Sequence, residues 1–509
     1  MKPSSLALAS AQNGGRTPVS ADLFLGIDLG TSVCKVLLCD SEGTVLGTAE
    51  GEIQVEYPRP CWAESRPEGW WELVARCTRE VLAASGHQGS EVKAVGLAGF
   101  MHSPIPIDAA GNVLAPAMLW SDQRCAPQAG ALAQEGERLL RVAGLKPGST
   151  WTAPKLRWLQ EERPEVLEKA AIILLPKDFI RMRLTDQAAT DYYDAWGTMM
   201  FDREAGDWAQ DILDWVGIPR EKLPPLKLST EIGGFVTAAA AAATGLAQGT
   251  PVAVGSGDAF STMVGTNAYA PARICLYMGT AGWLSAFREP EGMDTMGALV
   301  GFATASCTGS AFYWCRELLR GWENQPAQDL YQRLAREAAE AEPGASGLLF
   351  IPHLMGERGF PANPQAKGAF FGLTLAHGRR QVTRAVLEGT AFALRRSCEG
   401  SDFPLEAEEL VACGGGARSP LWRRIFAHVF GRPVSVPAVL DTGALAAAMT
   451  GAVAVGAQPS LHEAAQRWVR FEPAPPLDPG LVETYQHIYQ VYAELDEAMA
   501  PFYSRLPAC

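Results

Sequence analysis

The chain has 509 residues, 48% hydrophobic and 19% charged, enough for two large domains with substantial cores. A net charge of −13 leaves no basic stripe to neutralise phosphates, which excludes a nucleic-acid binder. The eleven cysteines never form Cys-x-x-Cys and read as reduced thiols, and no apolar run is long enough to span a bilayer, so a cytoplasmic, non-membrane protein is expected.

Residues 1–21 carry only a brief apolar run, Leu6 to Ala9, and read as a disordered leader. Leu23 to Asp40, LFLGIDLGTSVCKVLLCD, then sets two apolar arms about the tip Asp28-Leu29-Gly30-Thr31, the pattern of a buried hairpin. Gly30 suits a positive φ at the tip and a close ligand. Thr31 and Ser32 add hydroxyls beside free amides, as an anion cradle does, and Asp28 offers a carboxylate for Mg2+. Taken alone, the stretch reads equally as an ordinary hairpin with a polar tip.

A strand pair is predicted over 44–57 and a helix over 66–84, with Trp70, Val74, Cys77 and Val81 on one face. A buried strand over 93–98 ends in Gly99-Phe100-Met101-His102-Ser103. This places His102 where α/β sheets present ligand-facing residues, although a loop histidine capping a carbonyl fits the position too. The run Pro116 to Arg124 ends its apolar part at Trp120 and continues to Asp122. An aromatic face with polar neighbours suits a sugar; a buried Trp beside a charged turn is the plainer reading. Helices are expected over 154–169, from 177 and over 207–217, with a strand over 172–175 between the first two. The polyalanine at 238–243 suggests a tightly packed helix. Asp191, Asp194 and Asp202 read as caps and turn acids sooner than as a metal cluster.

The stretch Pro251 to Gly265, PVAVGSGDAFSTMVG, runs a short strand through Gly255-Ser256-Gly257 to Asp258 at a helix start. Such an acid serves as an N-cap, or as the acceptor of a hydroxyl proton in phosphoryl transfer. Ile274 to Phe287 then repeats the first hairpin about a Gly279-Thr280-Ala281-Gly282 turn. Two such loops, about 250 residues apart, predict two similar halves facing one polyphosphate. The expected fold is therefore α/β, a two-domain actin-like ATPase (ribonuclease H-like) with its ligands in the cleft. That context favours the catalytic reading of Asp258.

In the second half a strand over 348–352, a helix over 380–398 and a strand over 409–412 lead to Cys413-Gly414-Gly415-Gly416-Ala417, where a nucleotide can lie against backbone. A helix with Leu421, Ile425, Val429 and Phe430 inward, a small-residue helix over 441–455 and a last helix over about 480–503 complete the chain. No Walker-type phosphate loop and no His-Glu-x-x-His occurs, and Gly255-Ser256-Gly257 lacks the third glycine of a dinucleotide fingerprint.

Together the stretches GIDLGTS (26–32), WAESRPEGWW (62–71), LPKDFIRMRLT (175–185), AWGTM (195–199), ERGFPANPQAKGAFFGL (357–373) and GGGARSPLWR (414–423) resemble the FGGY family of carbohydrate kinases, and within it the xylulokinases. The resemblance implies an N-terminal domain over 22–268, a C-terminal domain over 269–505, ATP and Mg2+, and phosphorylation of a sugar's terminal hydroxyl. It assigns Asp258 as catalytic base and Asp28 to the metal. Gly30, Thr31, Ser32, Gly279, Thr280, Gly414, Gly415, Gly416 and Ala417 fall to the nucleotide, and Met101, His102, Trp120 and Asp122, with Asp258, to the sugar. A small-molecule sugar is the expected partner, and a homodimer is a family expectation.

Three departures from the xylulokinase pattern fall at the site: Phe100 and Ser103 flank Met-His in place of Gln and Gly, Ala259 replaces Asn, and Ala281 replaces Ser. Fewer hydrogen-bonding groups imply that the preferred sugar can differ. D-xylulose is the first expectation. D-ribulose, L-ribulose, erythritol or glycerol is the alternative, and a non-catalytic sensor or a chaperone- or filament-type ATPase the reading from another class.

Overall fold

The computed structural model describes residues 22–135, 141–142, 144–269, 271–289, 293, 299–320, 330–401, 403 and 406–506. The leader expected at 1–21 lies outside them. The first hairpin forms as β1 (Leu23–Leu29) and β2 (Val33–Cys39), followed by β3 (Val45–Glu52). Helix α1 (Pro67–Ser85) buries Trp70, Val74, Cys77 and Val81, and leads to β4 (Val92–Gly99). With β5 (Ile232–Phe235) and β6 (Pro251–Ala253) these strands make one sheet in the order β5-β6-β4-β1-β2-β3, and the two-residue strand Ser256–Gly257 pairs alongside the end of β4.

The second half repeats the plan. The strands β7 (Arg273–Met278), β8 (Gly282–Ser285) and β9 (Ala303–Ala305) are antiparallel neighbours. Then β10 (Glu409–Cys413) and β11 (Val434–Pro437) add in parallel, giving β9-β8-β7-β10-β11 with Phe471–Glu472 at the edge. Each half is thus a three-strand meander extended by parallel strands and closed at the far edge by a short antiparallel one. This common topology puts both hairpin tips on the same cleft.

One helix crosses between the halves. The chain passes from the first sheet to the second between Gly265 and Arg273, yet the small-residue helix Thr442–Ala454 returns to lie on β1 and β4. A Cβ on Gly26 would stand 1.9 Å from the Ala444 carbonyl oxygen, and one on Gly96 1.7 Å from that of Ala447. Only glycine under alanine allows that approach, which explains a helix with no polar face.

Several local expectations change. Residues 44–57 hold one sheet strand, not a pair. The helix expected over 154–169 is two, Thr152–Glu162 and Pro164–Lys169, because Pro164 cannot continue a helix and instead starts one. The polyalanine helix Ala238–Thr244 buries only Ala240 and Thr244. The last helix, Pro479–Tyr503, turns Tyr485, Tyr489, Tyr492 and Asp496 inward, leaving Leu481, Ile488, Leu495 and Met499 half-buried. Helices Gly309–Arg320 and Leu330–Ala339 were not anticipated. Among the described residues no helix is long and apolar enough to cross a membrane.

Candidate active site

A cleft of about 2860 Å³ lies between the halves, several times the size needed for one small ligand. Asp28, Gly30, Thr31, Ser32, Met101, His102, Trp120 and Asp258 line it from the first half, and Gly279, Thr280, Gly414, Gly415 and Gly416 from the second. Ala417 is buried beneath the glycine loop. Gly30 does not take the positive φ expected of it; a Cβ there would instead meet the Val33 carbonyl oxygen at 2.8 Å, inside the hairpin turn. Gly414 does take one, +81°, against Met278 and Gly279 of the second hairpin.

Two carboxylates, Asp28 and Asp258, line the cleft. Asp28 sits near the end of β1, in register with Lys35 of β2, but the Lys35 ammonium reaches Asp441, 2.5 Å away. Asp28 Oδ1 is buried with no hydrogen-bond partner among the described residues. Burial raises the carboxyl to about 6; Lys35 opposes the shift and Asp441 adds to it. Asp258 opens the helix Asp258–Gly265, directly after the strand beside β4. The residue before it, Gly257, is the N-cap, so Asp258 is not one; its Oδ1 accepts from the Ala259 amide at 2.8 Å. Burial raises it to about 7, with the Asp28 charge second and backbone donors opposing.

The donor set fits Mg2+ without enclosing it. Asp28 brings a bare buried oxygen, and no group of three or more His, Cys, Asp or Glu forms a full metal cage among the described residues. One or two carboxylates completed by phosphate and water is the usual arrangement for this ion.

His102 closes the other end of the cleft with φ +72°, a left-handed conformation uncommon outside glycine. Its Nδ1 lies 2.8 Å from the Gly197 carbonyl, an acceptor only, so Nδ1 carries the proton and Nε2 is left as an acceptor. Burial, with Lys155 nearby, pushes the imidazole down to about 3 and keeps it neutral. The Trp120 indole N–H donates to Thr31 Oγ1 at 2.9 Å, linking this end to the first hairpin tip.

Two expected specificity features fall elsewhere. Asp122 does not line the cleft: it is fully buried, accepts from the Ala63 amide at 2.7 Å and grips Arg124 at 2.6 Å, so a sugar has no oxygen of it to meet. Phe100 turns into the first core and meets Trp70 edge-on at 5.2 Å. Just past the end of β4, Phe100 joins the first core while its neighbour Met101 lines the cleft. Ser103 is likewise buried, whereas Ala259 and Ala281 do line the cleft. Several cleft residues escaped the sequence reading: Tyr193, whose phenol feels the Asp258 charge, Trp196, Arg358 over the Trp120 ring, and Tyr313, Tyr331 and Arg336 from two helices of the second half. The aromatic run Phe312-Tyr313-Trp314 within an amphipathic helix was the available signal for the last group.

Comparison with known proteins agrees with this geometry. The N-terminal domain of the FGGY family of carbohydrate kinases matches residues 23–265, and its C-terminal domain residues 276–455. The xylulose kinase of Escherichia coli strain K12 is 34% identical over 505 residues, covering 92% of this chain and 99% of that protein. That of Bacillus subtilis strain 168 is 30% identical, covering 92% and 96%. The crystal structure of xylulose kinase from Rhodospirillum rubrum matches with a TM-score of 0.81 at 28% identity, covering 95% of this chain and all of that one.

Proposed function

The chain belongs to the FGGY family of carbohydrate kinases and is an ATP-dependent sugar kinase, and on that premise we propose that it converts D-xylulose to D-xylulose 5-phosphate with Asp258 as general base. The carrying observation is the Asp258 carboxyl itself, half-buried in the cleft that both glycine-threonine hairpin tips line, with no cation bonded to it among the described residues and raised by burial to about 7. An acceptor poised near neutrality suits proton removal from an alcohol.

Asp258 takes the proton of the sugar's terminal hydroxyl as that oxygen bonds to the γ-phosphorus of ATP and the bond to the ADP oxygen breaks. Loop amides within 28–32 and 279–282, apart from that of Gly30, which donates to the Val33 carbonyl, meet the charge on the transferred group. Mg2+, held by Asp28 directly or through water, would supply positive charge against the same phosphate oxygens. His102 Nε2 accepts from a sugar hydroxyl, and the Trp120 face covers C–H surface. The glycine loop 414–416 carries the nucleotide. The reading includes a domain boundary at 268/269 and a cytoplasmic location.

One observation favours a different sugar. Ala259 lines the cleft beside the base, where xylulokinases usually place Asn, so one hydroxyl partner is missing. Phe100 lends no such support, since it faces the core. The test is sugar-dependent ADP release with Mg-ATP over D-xylulose, D-ribulose, L-ribulose, erythritol and glycerol. D-xylulose is expected to give the highest kcat/KM. Higher kcat/KM on another member overturns the substrate, and undiminished turnover by Asp258→Ala overturns the base.

A further inference from the structure

We infer that Arg358 is a positioning residue that ties the second half of the molecule to Trp120 and, through it, to the first hairpin tip, making ATP turnover depend on a filled sugar site. It lies in the motif stretch 357–373, to which the reaction as derived above gives no task.

The backbone at Arg358 is fixed from behind. His353 stands between Asp496, 2.8 Å away, and Glu357, 3.3 Å away. Glu357 accepts from the Ser306 amide and hydroxyl, each at 3.0 Å, and from the Gly359 amide at 2.7 Å. The Arg358 amide itself donates to Ser306 Oγ at 2.9 Å. With these groups buried, the rigid loop projects the guanidinium across the cleft.

On the far side the guanidinium stands 5.1 Å from the Trp120 ring centre, and Nη1 donates to Thr150 Oγ1 at 3.3 Å. Trp120 in turn spends its only donor on Thr31 Oγ1. A continuous path therefore runs from the second half, over the aromatic face at the sugar end, to a hydroxyl of the phosphate loop. Arginine suits the task because its planar cation stacks on an indole and donates sideways at once. A sugar packed on the part of the Trp120 surface that the guanidinium leaves open holds the same indole, so sugar and the Arg358 contact favour the same Trp120 orientation, the one that donates to Thr31.

The inference needs only that the sugar binds at this end, not that it is D-xylulose, so the assay uses whichever sugar supports turnover. ADP release and sugar phosphate are measured together for wild type, Arg358→Ala, Arg358→Lys, Trp120→Phe and the Arg358→Ala/Trp120→Phe double variant, with melting temperatures alongside. Loss of a cation–π and hydrogen-bond contact predicts that Arg358→Ala raises the sugar KM about tenfold, leaves the ATP KM within about twofold, and raises ADP release unmatched by sugar phosphate about fivefold. Arg358→Lys restores part of the coupling, and the double variant is no worse than the poorer single one. The inference is overturned if Arg358→Ala leaves sugar KM and coupling within about twofold, or if the two single effects multiply. Should no sugar be turned over, the proposed function fails by itself, and equal sugar-free ADP release by wild type and Arg358→Ala overturns this inference separately.

Discussion

Two groups of aspartates lie close together in the first half, and the fold treats them in opposite ways. Asp178, Asp191 and Asp194 converge on one buried ammonium: Lys177 Nζ stands 2.7 Å from the first and 2.8 Å from each of the others, and Arg181 adds a bond to Asp178 at 2.9 Å. The mutual attraction holds Lys177 charged, while burial pushes Asp191 and Asp194 upward. Asp28 and Asp258 are only half-buried, at the cleft; among the described residues no cation bonds to either, and the Asp28 charge raises the cost of charging Asp258. An acid neutralised by a fixed partner positions backbone; one left without a partner keeps its charge for a proton or a metal.

The sharpest break of this comparison is Asp258→Asn. It is expected to lower kcat roughly 10³-fold, as loss of a general base does. Melting at pH 8 should rise even so. The carboxyl is raised from an unfolded value near 4 to about 7, so its contribution to stability is full below pH 4 and lost as pH climbs through 7. The variant's Tm gain should therefore vanish near pH 4 and level off above 7; a gain that ignores pH means Asp258 is not the charge being buried.

Lys177→Met should do the reverse. It leaves three buried carboxylates without their shared cation, a cost of about 3–5 kcal/mol at pH 7, read from urea unfolding. A loss under about 1 kcal/mol would mean that the cluster is neutral by protonation and that the two acid groups do not differ.

For wild type, kcat/KM should climb as pH rises through about 7, when Asp258 loses its proton, with a steeper fall below about 6 where Asp28 protonates as well. A profile flat from pH 6 to 8 removes Asp258 as the base. The smallest effect is expected from Asp122→Asn. Its carboxylate is spent on Arg124 and Ala63, so stability should drop while the sugar KM stays within about threefold. A tenfold rise in KM would put Asp122 back at the sugar.

The fold and the cleft floor were legible because short-range patterns carry them. The arms of both hairpins, the α1 face and the glycine loop each show their period or turn chemistry within about twenty residues. Phe100, Asp122 and Arg358 were misread or missed for a common reason. Their roles depend on partners distant in sequence: Phe100 on Trp70, Asp122 on Ala63, and Arg358 on Trp120 and Thr150. Pro164 could have been read as a helix start from its type alone.

By itself, then, the sequence determined which glycines can turn tightly, which segments have a face to bury, and where an acid stands at a glycine-rich strand end. Tertiary structure alone decided which acids stay uncompensated, which side of a strand end faces the cleft, and that helix Thr442–Ala454 returns across Gly26 and Gly96 to unite the halves. The reason is physical: periodicity is a local property of the chain, whereas charge compensation and close packing belong to surfaces brought together from distant stretches.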